Sequence, residues 1–434
     1  MIKSGRVWRN WSGIVRAKPR SVLYPSHIDE VVEAVNQCRR EGRKLRVIGS
    51  GHSFTALVAS DDMLLSLDRM QGILQVNAET RTATVWAGTK LKALGELLHS
   101  EGLAQENLGD IDVQSIAGAI STGTHGTGLR FGNISTQVIG ITIVTGTGEV
   151  RDCTEQSHPE LFKALQISLG AMGIIVQVKL KLRPSYRLSY ESSRVPLDTC
   201  LENLNSYAAS HRNFEFYWFP YAEPCQLKVM NETEETPTPH RITSYLSDVI
   251  LENVAFGALS SLCKWVPGIS APISRLCAAT VPTIRKIEHS HRVYATKRLV
   301  RFNEMEYNLP VEAMEAVIRE MRETMARERY SVHFPIECRF AKADDIWISP
   351  AYGRDSAYIA VHMYRGMPYE KYFADMERIF LRHGGRPHWG KLHTLTAQQL
   401  RIAYPKWDSF LEIREKMDPD GLFLSPYLKR IFAL

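Results

Sequence analysis

The sequence predicts an α+β protein of two domains, and three observations predict it. The chain has 434 residues, long for a single hydrophobic core. Up to Pro184, short strand-like and helical patterns alternate and glycine-rich turns separate them. Beyond Pro184 the pattern shifts to aromatic, alternating runs and proline-broken helical stretches, which read as an α+β domain built on an antiparallel sheet. The expected domains are 1–184 and 185–410, with a closing segment, 411–434, that packs back on the first.

The elements follow in order. Ser21-Val22-Leu23-Tyr24 is strand-like and stops at Pro25. Ser26 with Asp29 has the form of a capping box ahead of Ile28, Val31, Val32, Val35 and Cys38, spaced as one face of a helix that Gly42 closes. Leu45-Arg46-Val47-Ile48 is a strand that runs into a glycine turn. Thr82 to Trp86 is another strand, and Leu91, Leu94, Leu97 and Leu98 mark a helix ending before Gly102. Val138 to Val144 and Glu149 to Arg151 flank the turn Gly146-Thr147-Gly148 as a hairpin, and Ile174 to Leu182 alternates as a strand that Pro184 stops. Residues 185–230 read as strands, among them Phe214 to Phe219. Asn231 to His240 is a polar loop, and 241–290 is helical, broken at Pro267, Pro272 and Pro282. A helix near Pro310 to Arg327 and strands around 331–340 and 357–364 complete the pattern.

Composition narrows the function classes. Hydrophobic residues make up 44% and charged residues 23%, the balance of an ordinary globular protein. A net charge of +6, spread along the chain, suits an anionic cofactor or a membrane surface and not a nucleic-acid partner. Seven cysteines without a CxxC pair indicate a reduced, cytoplasmic protein rather than a disulfide framework. The amino terminus lacks the apolar stretch of a signal peptide. No apolar run reaches the ~18 residues of a spanning helix, and the nearest candidate, Val254 to Cys263, reads as a core helix.

Two loops carry the first chemical signal. In Gly49-Ser50-Gly51-His52-Ser53 the glycines let backbone N–H groups approach phosphate oxygens. The third glycine of a dinucleotide fingerprint is replaced by Phe54, and no Walker lysine is present. The second loop, Ser115 to Gly128, interleaves Gly118, Gly123, Gly126 and Gly128 with Ser115, Ser121, Thr122, Thr124, His125 and Thr127. Its hydroxyl and backbone donors, with almost no side-chain bulk, suit a flat phosphorylated ligand. Together the loops point to a dinucleotide held from two sides.

GSGHSFT (49–55), SIAGAISTGTHGTG (115–128) and SLGAMGII (168–175) together resemble the PCMH-type FAD-binding domain of the vanillyl-alcohol oxidase flavoprotein family. IECRF (336–340), DDIWISPAYGRD (344–355) and RPHWGK (386–391) resemble one branch of it: gulonolactone and arabinonolactone oxidases or dehydrogenases, with alditol oxidases close by. The resemblance implies a two-subdomain FAD-binding domain and a substrate (cap) domain. It implies that FAD is joined covalently to His52 and contacted by both loops, by Gly109 and Asp110, and by Gly173 and Ile174. The bond at His52 would also raise the flavin's potential.

For the alcohol chemistry, Glu337 and Arg339 alternate on one strand and so share a face; an ordinary ion pair fits that pattern too. The resemblance gives them the task of binding and polarising the substrate hydroxyl, and places Lys391 beside the flavin N1 and C2 carbonyl. His388, in the turn after Pro387, is a base or a packing residue, and His362 can face the same cavity. His388 and His393 are metal-ligand types without a suitably spaced third ligand, so no metal is expected. The implied reaction moves a hydride from the C2 carbinol of a sugar 1,4-lactone to the flavin, with an open-chain polyol as the alternative substrate. Electrons then pass to O2 or another acceptor. Gly109, at the position that gates oxygen in such enzymes, leans towards an oxidase, and Asp110, where alditol oxidases carry serine, leans towards lactones.

Overall fold

The computed structural model describes residues 7–239, 254–295 and 298–434. The amino-terminal hexapeptide, His240 and the first part of the expected 241–290 helical segment lie outside the described residues. Three sheets organise the rest. Ser21–Leu23, Met63–Ser66 and Leu45–Ile48 form a parallel three-stranded sheet with Met63–Ser66 at its centre. The helix Ile28–Arg40 supplies the crossover and buries Val31, Ala34, Val35 and Cys38. A second, antiparallel sheet runs in the order Val150–Cys153, Val138–Thr145, Gly173–Lys181, Thr82–Trp86, Ile73–Asn77.

The third sheet has eight strands in the order Ile284–His289, Arg187–Pro196, Pro224–Glu232, Asn213–Trp218, Ile336–Ala341, Ser356–Tyr364, Phe302–Pro310, Arg386–Pro387. Its central strands are buried on both faces: every residue from Asn213 to Trp218 and from Ile336 to Ala341 is buried. Charged side chains on such strands are confined to the protein interior, and a site is built from them.

Several hydrogen bonds tie these parts of the protein together. The Gly128 N–H donates to the Phe340 carbonyl at 2.8 Å, and Phe54 N–H to the Gly390 carbonyl at 2.7 Å. The buried Arg46 guanidinium donates to the Phe423 carbonyl at 2.6 Å and to the Leu169 carbonyl at 2.9 Å. Ser425 Oγ donates to the Leu57 carbonyl at 3.0 Å.

Several sequence readings are corrected. At the first helix the Ser26 backbone N–H and hydroxyl both reach the Glu30 carboxylate, at 2.7 and 3.0 Å, so Glu30 and not Asp29 closes that end. Pro184 does not stop the chain's pairing, because Arg183–Pro184 forms a two-residue ladder with Leu103–Ala104. Residues 197–210 are two short helices, Leu197–Glu202 and Leu204–Ser210, rather than strand. Pro272 sits in the first turn of the helix Ser270–Thr280, where its missing N–H is harmless, and does not break it. Ile284–His289, read as helix, is an edge strand, and the buried strand Phe302–Pro310 was not foreseen. The helix Phe256–Trp265 lies on the surface: Val254, Leu262 and Trp265 are 58%, 48% and 81% exposed, so it is not a core helix. Among the described residues no helix is long and apolar enough to cross a membrane, and all seven cysteines are unpaired.

Candidate active site

A groove opens where the parallel sheet meets the two glycine loops. Gly49, Ser50, Gly51, His52 and Ser53 line one wall; Ser115, Gly118, Ser121 and Thr122 line another; Gly170, Gly173 and Ile175 close it. Small residues are required here. A Cβ on Gly49 would lie 2.8 Å from Ser115 Oγ, and one on Gly118 would lie 3.0 Å from the same atom. Gly51 has φ +69° and Gly173 φ +152°, conformations that disfavour any side chain. Ser115 also caps the helix Ile116–Ser121, accepting from the Gly118 N–H. Among the described residues the N–H groups of Ser50, Gly51, His52 and Ser53 donate no backbone–backbone hydrogen bond, which leaves a run of donors in the segment that lines the groove. That donor set fits the phosphates of a dinucleotide. Ile174 is not at the groove; it is fully buried in the sheet opposite Val144, and its neighbour Ile175 takes the lining position.

His52 stacks on Trp11, with ring centroids 5.5 Å apart. Burial, reinforced by the nearby Lys391 charge, pushes its pKa down to about 4. The imidazole is therefore neutral and carries the free lone pair a nucleophile needs.

Beyond His52 the site becomes a dense charge cluster. Arg339 makes close contact with Glu337 and lies 3.0 Å from Glu215 Oε2 and 3.1 Å from Asp110 Oδ2. Arg298 is in close contact with Asp110 from the other side. Tyr217 donates to Glu337 Oε1 at 2.5 Å. Burial raises the Glu337 carboxyl despite the opposing Arg339 charge, with Asp110 adding to the rise. Burial also opposes ionisation of Asp110, but Arg339 and then Arg298 outweigh it and hold that carboxyl well below the usual range. Two carboxyls a few ångströms apart are thus pushed in opposite directions, the pattern that separates a proton acceptor from a fixed anion.

Lys391 stands on the turn after Arg386–Pro387, its ammonium 2.6 Å from Glu304 Oε2 and 3.9 Å from Glu306 Oε2. Burial alone would lower its pKa, but the two glutamates raise it above the ordinary lysine value. It also lies 5.3 Å from the centre of the Phe54 ring, beside the His52 loop. His388 is buried, and burial drives its pKa down to about 3. Its Nδ1 accepts from the Gly390 N–H at 3.0 Å. Gly109 faces His125 and Thr124: a Cβ there would lie 3.1 Å from the His125 carbonyl and 3.4 Å from Thr124 Cγ2. Thr124 and His125 are therefore packed against Gly109, and Gly123 against Ile167 and Pro350.

Sequence reasoning missed five participants: Glu215, Tyr217, Arg298, Glu304 and Glu306. The pair in Glu304-Met305-Glu306 was findable, since alternation on a strand puts both carboxylates on one face. The premise that no third metal ligand accompanies His388 is also corrected. Ligand atoms of His125, Glu306 and His388 lie within 4.8 Å of one another, brought together from three distant segments. His393 is not among them, its Nε2 pairing with the Tyr427 hydroxyl at 2.8 Å. The hydrogen-bond pattern does not suit an ion, because Gly390 occupies His388 Nδ1 and the Lys391 ammonium already neighbours Glu306.

Comparison with known proteins gives a consistent set. Residues 178–431 match the family model described as D-arabinono-1,4-lactone oxidase, and residues 19–154 match an FAD binding domain. The chain is 38% identical to L-gulono-1,4-lactone dehydrogenase of Mycobacterium tuberculosis over 430 residues, covering 98% of this chain and 99% of that one. It is 31% identical to L-gulonolactone oxidase of Mus musculus, covering 99% and 98% of the two chains. It is 27% identical to D-arabinono-1,4-lactone oxidase of Candida glabrata, covering 96% and 95%. Among solved structures, cholesterol oxidase from B. sterolicum superposes with a TM-score of 0.85 at 19% identity, covering 99% of this chain and 97% of that one. That likeness is one of fold.

Proposed function

The chain belongs to the D-arabinono-1,4-lactone oxidase family, with an FAD-binding domain at its amino-terminal end, and from that premise we propose that it oxidises a sugar 1,4-lactone at the C2 carbinol. The observation that carries the reading is the Glu337–Arg339 pair, buried against Asp110, whose charge together with that of Lys391 acts on His52. FAD, when bound, supplies the hydride acceptor and passes the electrons to O2 or another acceptor.

The protein's own residues do the rest. The N–H groups of residues 50–53 and the hydroxyls of Ser115 and Ser121 would hold the phosphates, while the Thr122 hydroxyl donates to the Gly118 carbonyl at 3.2 Å. His52, neutral at physiological pH, is the attachment point for the flavin. Arg339 orients the lactone hydroxyl, and Glu337, whose raised pKa makes it the stronger base, takes the hydroxyl proton at its carboxylate. Tyr217, kept protonated by burial and by Glu215 and Glu337, holds that carboxylate in place by hydrogen bonding. Lys391 supplies a fixed positive charge opposite the developing negative one. Gly109, with no side chain between His125 and Thr124, sits where access of the acceptor is decided. The first domain (1–184) is the cofactor domain, 185–410 the substrate domain, and 411–434 a segment returning to the first.

Dye-coupled turnover with sugar 1,4-lactones against the matching open-chain alditols tests this reading. Turnover confined to alditols would replace it.

A further inference from the structure

The strand Phe302–Pro310 carries two buried carboxylates, Glu304 and Glu306, two residues apart on one face. Burying like charges together is costly unless each is compensated. Each has its own histidine. Glu304 Oε1 lies 3.4 Å from His362 Nε2, its direct cross-strand neighbour, and Glu306 Oε1 lies 3.0 Å from His125 Nε2. The other nitrogen of each ring meets a backbone carbonyl: His362 Nδ1 that of Pro335 at 2.9 Å, His125 Nδ1 that of Gly126 at 2.8 Å. Each carboxylate thus has a ring of its own, and the Lys391 ammonium reaches both.

The same two glutamates hold the backbone on which Lys391 rides. His388 N–H donates to the Glu306 carbonyl and Leu392 N–H to the Glu304 carbonyl, each at 3.0 Å. Lys391 is therefore clamped twice, through its turn and through its ammonium. We propose that Glu304 and Glu306, each anchored by His362 and His125, are positioning residues that fix the Lys391 ammonium at the flavin end of the site. The proposal rests on the reading of Lys391 as the cation facing the cofactor.

The test is a double-mutant cycle on the flavin-loaded protein. The flavin midpoint potential is measured against a reference dye with a chemical reductant, so it is read whether or not a lactone is the substrate. Lys391→Met should lower the potential. Glu304→Gln should also lower it and slow lactone-driven flavin reduction at least tenfold, although removing an anion would by itself raise the potential. In the Lys391→Met background Glu304→Gln should change the reduction rate less than twofold. A raised potential in Glu304→Gln, or equal effects in the two backgrounds, would overturn the proposal. Should Glu304→Gln not fold, His362→Asn enters the same cycle with the same expectations and the same overturning results. Potential shifts as expected without any lactone reduction would remove the proposed substrate and leave the positioning role standing.

Discussion

Arg339 and Asp110, 229 residues apart in the chain, meet at 3.1 Å between Nη2 and Oδ2. The contact joins the substrate sheet to the segment just before the second glycine loop. Because Glu215 and Glu337 also converge on Arg339, the guanidinium is the hub of a buried cluster, and its loss would leave several carboxylates uncompensated.

Glu337→Gln preserves shape and removes the base. The expected outcome is a flavin-reduction rate lower by about 10²-fold or more, the usual scale for a positioned acid–base group, with FAD binding retained. Arg339→Ala should cost both rate and stability, the latter by about 3–5 kcal/mol as for other broken buried ion pairs. Stopped-flow reduction and thermal unfolding separate the two effects. Near-normal reduction in both variants would show that the pair is structural only.

His52→Ala should still bind FAD through the groove but without a covalent bond. Acid precipitation of the native protein should leave the yellow colour in the pellet, whereas the variant should release it to the supernatant. Release from the native protein would contradict attachment at His52.

Gly109→Ala places a methyl 3.1 Å from the His125 carbonyl, tight enough to narrow the passage. Its φ is not in the left-handed region, so the backbone accepts alanine. Reoxidation of the reduced protein by oxygen should slow about tenfold or more while reduction by substrate stays within about twofold, roughly 0.4 kcal/mol in barrier terms. Equal reoxidation rates would remove Gly109 from the oxygen path.

The protein should lose stability as the pH falls. Burial holds His333 and His393 down at about 4 and His388 at about 3, against about 6.5 in an unfolded chain. Between those values the unfolded state takes up protons that the folded state refuses, so stability drops from about pH 6.5 towards 4. Below the ordinary carboxylate range Glu304 adds to the loss: burial opposes its ionisation, but Lys391 and His362 hold it at about 2, so its stabilisation disappears as the pH passes through that value. Glu337, Asp344 and Asp418, shifted upward by burial, work in the opposite sense, but His52, lowered to about 4, joins the three histidines against them. The melting temperature at pH 5 should lie below that at pH 7; the reverse order would contradict these assignments.

Much of the cofactor side was legible in the sequence because it is local. Glycine turns, the Ser115 cap and the His52 position are set within a few residues of chain, and the structure places them on one groove. Glu337 and Arg339 were legible as a pair because strand alternation fixes their common face. Their partners were not: Asp110, Glu215, Tyr217 and Arg298 reach Arg339 or Glu337 through sheet order and loop packing, which no local period encodes. The strand Phe302–Pro310 was hidden for another reason. It is buried on both sides, so the polar-apolar alternation that marks a half-exposed strand is replaced by charged residues satisfied inside the protein. The misread 284–289 strand follows a proline-rich helical stretch, and its edge position comes only from pairing with Arg187–Pro196.

The central claim is lactone oxidation at this flavin site, and an anaerobic titration tests it most directly. The purified yellow protein is titrated with L-gulono-1,4-lactone and, separately, with xylitol, while the flavin absorption band is followed before air is admitted. The account predicts bleaching by the lactone and none by xylitol; return of colour in air identifies oxygen as an acceptor, and persistence identifies another one. Bleaching by xylitol alone, or by neither compound, would contradict it.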